Sequence, residues 1–325
     1  MATTSTLNPL YAQVESQLDQ VRAEVLRHWT EAFRLVYGAS AEPPHLGGKM
    51  MRPAFTILSA GAIGAPDLDE FVDMATAMEL LHLAALAHDD VVDNANIRRG
   101  ATSLNALWDN HTAVLGGDYL VARALRVLTR YDSCPVIASA LDSIHEMAEG
   151  ELITFGRGKE NLGPEDCILL AEKKTAALFA VACCTPSLLI DLSYRKPLHD
   201  FGMGLGTAFQ IIDDLLDLEQ DEATLGKPSC GDITEGKTTL PILYIRESLS
   251  IEEALHFDSL AGESLSASDR EWIAQLLERT GARARCENLA KRYIGDARAA
   301  LEALPQNAYV ESMRGLLEFV VIRNS

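Results

Sequence analysis

The sequence predicts an all-α chain folded as a single domain over residues 1–325, a bundle of roughly ten or more helices. Three observations carry this expectation. Apolar residues recur at the three- and four-residue spacing of a helix face along most of the chain. No convincing period-two alternation marks a strand. Glycine and proline, 22 and 12 in 325 residues, fall mainly between the periodic segments and punctuate the chain without dividing it.

Residues 8–36 carry Leu10, Val14, Leu18, Val21, Val25, Trp29 and Phe33 among charges, the pattern of a surface helix with one buried face. Gly38 to Lys49 is a loop holding Pro43, Pro44, Gly47 and Gly48. Residues 53–63 form a buried helix, and 67–93 another that ends in Asp89, Asp90 and Asp93. Helices follow at 105–128 and 136–154, then a loop over 156–166 with Gly156, Gly158, Gly163 and Pro164. Residues 165–190 and 199–219 are helical, the second carrying Asp213, Asp214 and Asp217. A charged, Gly-rich loop covers 220–237, and helices resume at 239–248, 267–280, 281–303 and 308–321. No linker separates these segments, and the duplicated acidic pattern makes chemical sense only if its two copies meet in space.

The net charge of −19 argues against general binding to nucleic acid or anionic membranes, though not against a local basic pocket. The six cysteines lack metal-ligand spacing and are expected as reduced, mostly buried thiols. Residues 1–20 lack a secretory signal, and no apolar run is long enough to span a membrane. A cytoplasmic protein is the expectation.

The acidic pattern is the most chemical feature. Asp89 and Asp93 share a helix face, as do Asp213 and Asp217. Carboxylates at a helix C-terminus are unfavourable, because that end already carries partial negative charge. Oxygen-rich clusters of this kind suit Mg²⁺, which keeps waters and shares its shell with phosphate oxygens. Arg98 and Arg99 follow Asp93 closely, and guanidinium forks match phosphate bidentately. Gly47, Gly48, Lys49 and Arg52 open a helix, a place that favours anions. Lys227 and Lys237 lie in the loop after the second cluster, as cations on a lid would. Lys174 sits in an otherwise buried helix and needs an anionic partner.

Six segments then occur together: Gly47–Pro53, His88–Gly100, Ala113–Leu120, Glu172–Phe179, Phe209–Asp217 and Gly226–Pro241. With them the chain resembles the trans-type isoprenyl diphosphate synthases, and among these the bacterial long-chain polyprenyl diphosphate synthases. The resemblance implies the isoprenoid synthase fold, with helices around a deep central cavity. It also implies condensation of isopentenyl diphosphate with an allylic diphosphate, Mg²⁺ as cofactor, and a homodimer. Asp89, Asp93 and Asp213 take the roles of metal ligands, with Asp90, Asp214 and Asp217 in support. Arg98, Lys174, Lys227 and Lys237 fall at allylic diphosphate contacts, and Lys49, Arg52, His82 and Arg99 at the isopentenyl diphosphate pocket. Thr175 and Gln210 match polar residues near the reacting carbons, and Arg323 a weaker match near the C-terminus. Met50 departs from the basic residue often found at its position.

Product length is expected to follow the helix face below Asp89. Ala84 and Ala85 lie one turn back, Leu81 two and Ala77 and Met78 three. A turn of about 5.4 Å matches one extended prenyl unit, and the alanines leave the first turn open. The hypothesis is a product of roughly 30 to 40 carbons, with 20 or 25 as the alternative. Two rivals are a class I terpene cyclase and a regulatory subunit of a heteromeric synthase. The paired acidic motifs with Lys49, Arg52 and Arg99 disfavour the first, and retention of all six aspartates disfavours the second.

Overall fold

A computed structural model describes residues 9–43, 48–92, 97–98, 101–102, 109–158, 161–219 and 229–322. Its helices are α1 (Glu15–Tyr37), α2 (Met51–Ala62), α3 (Val72–Val92), α4 (Asn110–Leu128) and α5 (Cys134–Arg157). Then come α6 (Pro164–Ala171), a π turn (Glu172–Ala176) and α7 (Ala177–Cys184) in one continuous rod, followed by α8 (Arg195–Glu219). The C-terminal part holds α9 (Gly231–Thr234), α10 (Leu240–Arg246), α11 (Ile251–Ser259), α12 (Ala267–Arg279), α13 (Ala282–Leu301) and α14 (Ala308–Ile322). The all-α expectation is met.

Two helices organise the packing. Helix α3 is apolar on every side, and Met74, Ala77, Met78, Leu80 and Leu81 are buried around its circumference. A helix of that composition belongs at the centre of a bundle. Helices α1, α2, α4 and α5 surround it. Helix α8 is the second axis and packs on α7, the π turn and α13. Its close approach depends on Gly202 and Gly206. A Cβ at either would lie 2.5 Å from the backbone of Ala180 or Ala176, so only glycine fits.

Several boundaries differ from expectation for local reasons. Helix α4 starts at Asn110 because Asp109 caps it, its carboxylate accepting from the Thr112 N–H at 2.9 Å. The expected loop at 156–166 is shorter, since α5 runs to Arg157 and α6 opens on Pro164. Helix α11 was not anticipated, yet Ser250 and Glu253 cap each other reciprocally at its start. A two-residue antiparallel ladder, β1 (Ile97–Arg98) with β2 (Ala101–Thr102), is too short to leave a period in the sequence. All six cysteines are free, five of them buried. Among the described residues no helix is long and apolar enough to cross a membrane.

Candidate active site

A cavity of 560 Å³ opens where the ends of α3 and α8 meet α5, the π turn and residues 232–239. Each helix contributes one stripe. His82, Ala85, Leu86 and Asp89 come from α3, and Gln210, Asp213, Asp214 and Asp217 from α8, each set spaced as neighbours on one helix face. Helix α5 adds Met147, Glu151, Thr154 and Phe155, and the π turn adds Lys174 and Thr175. Arg52, Asp232 and Lys237 complete the polar lining, while Leu162, Leu170, Leu178 and Phe209 give it an apolar side.

The polar groups are tied together. Thr175 Oγ1 donates to Gln210 Oε1 at 2.7 Å, and Gln210 Nε2 donates to Asp214 Oδ1 at 2.7 Å. This chain fixes the orientation of the Gln210 amide and ties the π turn to the acidic end of α8. Removal from water raises the Asp214 carboxyl to about 7, and Asp213 and Asp217 push the same way. The Gln210 hydrogen bond and Lys237 oppose that rise. Asp217 is buried, and its Oδ2 accepts from the Asp232 N–H at 2.9 Å, so it anchors the start of α9 to α8.

Both cavity lysines pair with glutamates. Lys174 pairs with Glu151, and Lys237 pairs with Glu235 at 2.6 Å. Lys173 points elsewhere, bound to Glu146 at 2.6 Å and Glu149 at 2.5 Å. The Arg52 guanidinium lies 4.3 Å from the Phe179 ring centroid. Met50 and Cys230 adopt left-handed backbone at φ 51° and 58°, each just before a helix that borders the site. Such conformations are uncommon for residues with a Cβ and gather at functional sites.

The expected site residues distribute unevenly. Arg52, His82, Ala85, Asp89, Lys174, Thr175, Gln210, Asp213, Asp214, Asp217 and Lys237 share this one cavity. Lys49 does not line it; its ammonium lies 5.9 Å from the Phe319 ring centroid. Asp90 is not among the residues that line it and is 1% exposed. Leu81, Ala84 and Met78 are packed in the core and do not reach its surface. Asp93, Arg99, Lys227 and Arg323 lie outside the described residues, and Arg98 is described only as a backbone position in β1. Glu151 belongs to no motif of the sequence, and Asp232 lies in the Gly226–Pro241 segment without a role read from it. Their relevance arises from tertiary contacts with Lys174 and Asp217, which no local pattern announces.

The oxygen-only donor set suits a hard cation. Among the described residues no three His, Cys, Asp or Glu side chains converge enough to hold an ion alone. Asp89 on one wall and Asp213 and Asp214 on the other instead leave room for water and ligand oxygens, which is the way Mg²⁺ is usually bound.

A model of the polyprenyl synthetase family matches residues 34–277. The chain is 35% identical over 294 residues to an all-trans-nonaprenyl-diphosphate synthase (geranyl-diphosphate specific) of Rhodobacter capsulatus, covering 89% of each chain. It is 33% identical over 321 residues to the octaprenyl diphosphate synthase of Escherichia coli, covering 98% of each. Among solved structures, a polyprenyl synthase from Caulobacter crescentus complexed with calcium and isoprenyl diphosphate aligns with a TM-score of 0.88. That protein is 31% identical, with 98% of each chain covered.

Proposed function

This chain belongs to the polyprenyl synthetase family, and on that premise we propose that it condenses isopentenyl diphosphate with an allylic diphosphate to build a long all-trans polyprenyl diphosphate. One observation carries the reading. Carboxylates from two helix ends and the cations Arg52, Lys174 and Lys237 face each other across a single cavity that also has an apolar side. A diphosphate with a hydrocarbon tail needs such a divided surface.

We place Asp89, Asp213 and Asp214 as holders of a divalent cation, with Asp93 added on the family resemblance alone and Asp217 as a structural support. When bound, that cation, taken here as Mg²⁺, would neutralise diphosphate charge and favour departure of the leaving group. Lys174 and Lys237, with Arg98 and Lys227, supply fixed positive charge to the allylic diphosphate. Arg52 and His82, with Lys49 and Arg99, hold the isopentenyl diphosphate. Gln210, locked by Thr175 and Asp214, presents an oriented amide beside the reacting carbons. Leu86, Leu170 and Leu178 exclude water from the allylic cation and guide the growing tail. No side chain is assigned as base, and the departing diphosphate takes the proton.

Ala85 leaves space one turn below Asp89, which supports elongation to roughly 30 to 40 carbons. We further propose that the whole chain is one cytoplasmic domain working as a homodimer. Helix α5 exposes Leu141, Ala148 and Leu152 along one stripe, and Leu152 is 71% exposed. An apolar stripe of that spacing fits a second copy.

The test is product analysis. The purified chain with Mg²⁺, isopentenyl diphosphate and an allylic primer is expected to yield polyprenyl diphosphates, identified by mass spectrometry. Release of a hydrocarbon or alcohol without consumption of isopentenyl diphosphate would identify a cyclase. An inert chain revived by a second protein would identify a regulatory subunit.

A further inference from the structure

Both lysines in the cavity have a glutamate partner that lies outside the two acidic clusters. Lys174 on the π turn pairs with Glu151 on α5. Lys237 pairs with Glu235 at 2.6 Å. The backbone enforces both arrangements. Gly150 precedes Glu151, and a Cβ there would lie 2.8 Å from Lys174 Cγ, so the lysine stem runs across bare backbone toward Glu151. Gly236, at φ 61°, folds the chain so that Glu235 and Lys237 meet across one residue. All four side chains are between 29% and 35% exposed, so water can reach the pairs and they can exchange. Lys173 provides the contrast, with two glutamates, 15% exposure and no place in the cavity lining.

We propose that Glu151 and Glu235 are positioning residues that hold Lys174 and Lys237 when no diphosphate is bound and compete with it when one is. The inference rests on the synthase reading above. An incoming diphosphate has to draw each lysine from its glutamate. A departing one leaves each ammonium with an immediate partner, so no unpaired charge remains in a half-buried site. A chain-elongating enzyme discharges one diphosphate for every unit added, and these carboxylates would hasten that discharge.

The probe is inorganic pyrophosphate with Mg²⁺, titrated calorimetrically into the full-length protein. Glu151→Gln and Glu235→Gln are each expected to tighten its binding by about three- to tenfold. Both KM for the allylic substrate and kcat are expected to fall together, because release slows. Glu151→Asp should restore wild-type behaviour. In a Lys174→Met background the Glu151→Gln effect should vanish, which separates competition for the lysine from a general change of charge. The two glutamates lie on different elements, so if one variant does not fold the other decides. Unchanged or weaker pyrophosphate binding in the folded variants, or tightening that persists without Lys174, overturns the proposal. Failure of the wild-type protein to bind pyrophosphate with Mg²⁺ would instead overturn the synthase reading.

Discussion

Asp214 stands among groups that pull its proton in opposite directions, and burial decides the balance, raising its carboxyl to about 7. Between the ordinary carboxylate range and that value the folded chain keeps a proton that an unfolded chain has lost. The group therefore favours the metal-free fold at the acid end, and this contribution fades as pH rises through the window. A cation requires the carboxylate, so its binding should expel the proton and strengthen as pH rises. Calorimetry of Mg²⁺ with pyrophosphate at a pH near 7, in buffers of different ionisation enthalpy, should show more protons released with the wild type than with Asp214→Asn. Equal proton release with the two proteins would refute this. Gly206 offers a second check. Its missing Cβ would sit 2.5 Å from the Ala176 backbone, so Gly206→Ala is expected to destabilise the fold by about 1–3 kcal/mol, read from denaturant midpoints. Asp89, Asp213 and Lys174 stand out by residue type and spacing, whereas Gln210 follows only from the family resemblance. Glu151 does not stand out, because a glutamate on a half-exposed helix face looks like any solvated side chain until Lys174 is seen against it.

Helices were legible to the extent that their signals were local. The buried course of α3 and the face of α8 follow from periodicity, and their ends agree with expectation within a few residues. Helix α11 carries a readable cap in Ser250 and Glu253. The π turn carried no signal, because a single extra residue per turn leaves the apolar period almost intact. It is nevertheless the turn that carries Lys174 and Thr175. Along α3, Ala85 reaches the cavity while Ala84, Leu81 and Met78 stay in the core. The helical period placed all four on roughly one side, and neighbouring helices chose between them. Ala85→Phe should therefore shorten the product, and an unchanged chain length in a radiolabelled extension assay would remove Ala85 from the tunnel wall.

The molecule as a whole places two acidic helix ends against one apolar recess, and its surface is acidic overall at −19. Such an excess disfavours nonspecific association with polyanions, and on the proposed reading recognition of a diphosphate falls to a few cations inside the cavity. The sequence carried the class of fold, but not the exposed stripe on α5, since exposure is decided by what the other helices leave uncovered. If the stripe seats a second copy, Leu152→Glu should convert a dimer to a monomer in analytical ultracentrifugation, and a variant that still sediments as the wild type would rule the stripe out as the contact.

The π turn also makes register matter as well as composition between Glu172 and Ala176. Each residue of a helix advances the chain by about 100°. Loss of a single residue within this stretch would swing whatever lies on one side of the gap away from its neighbours on the other, however conservative the remaining sequence. Outside Lys174 and Thr175, the segment should tolerate exchange of residues better than any change in their number.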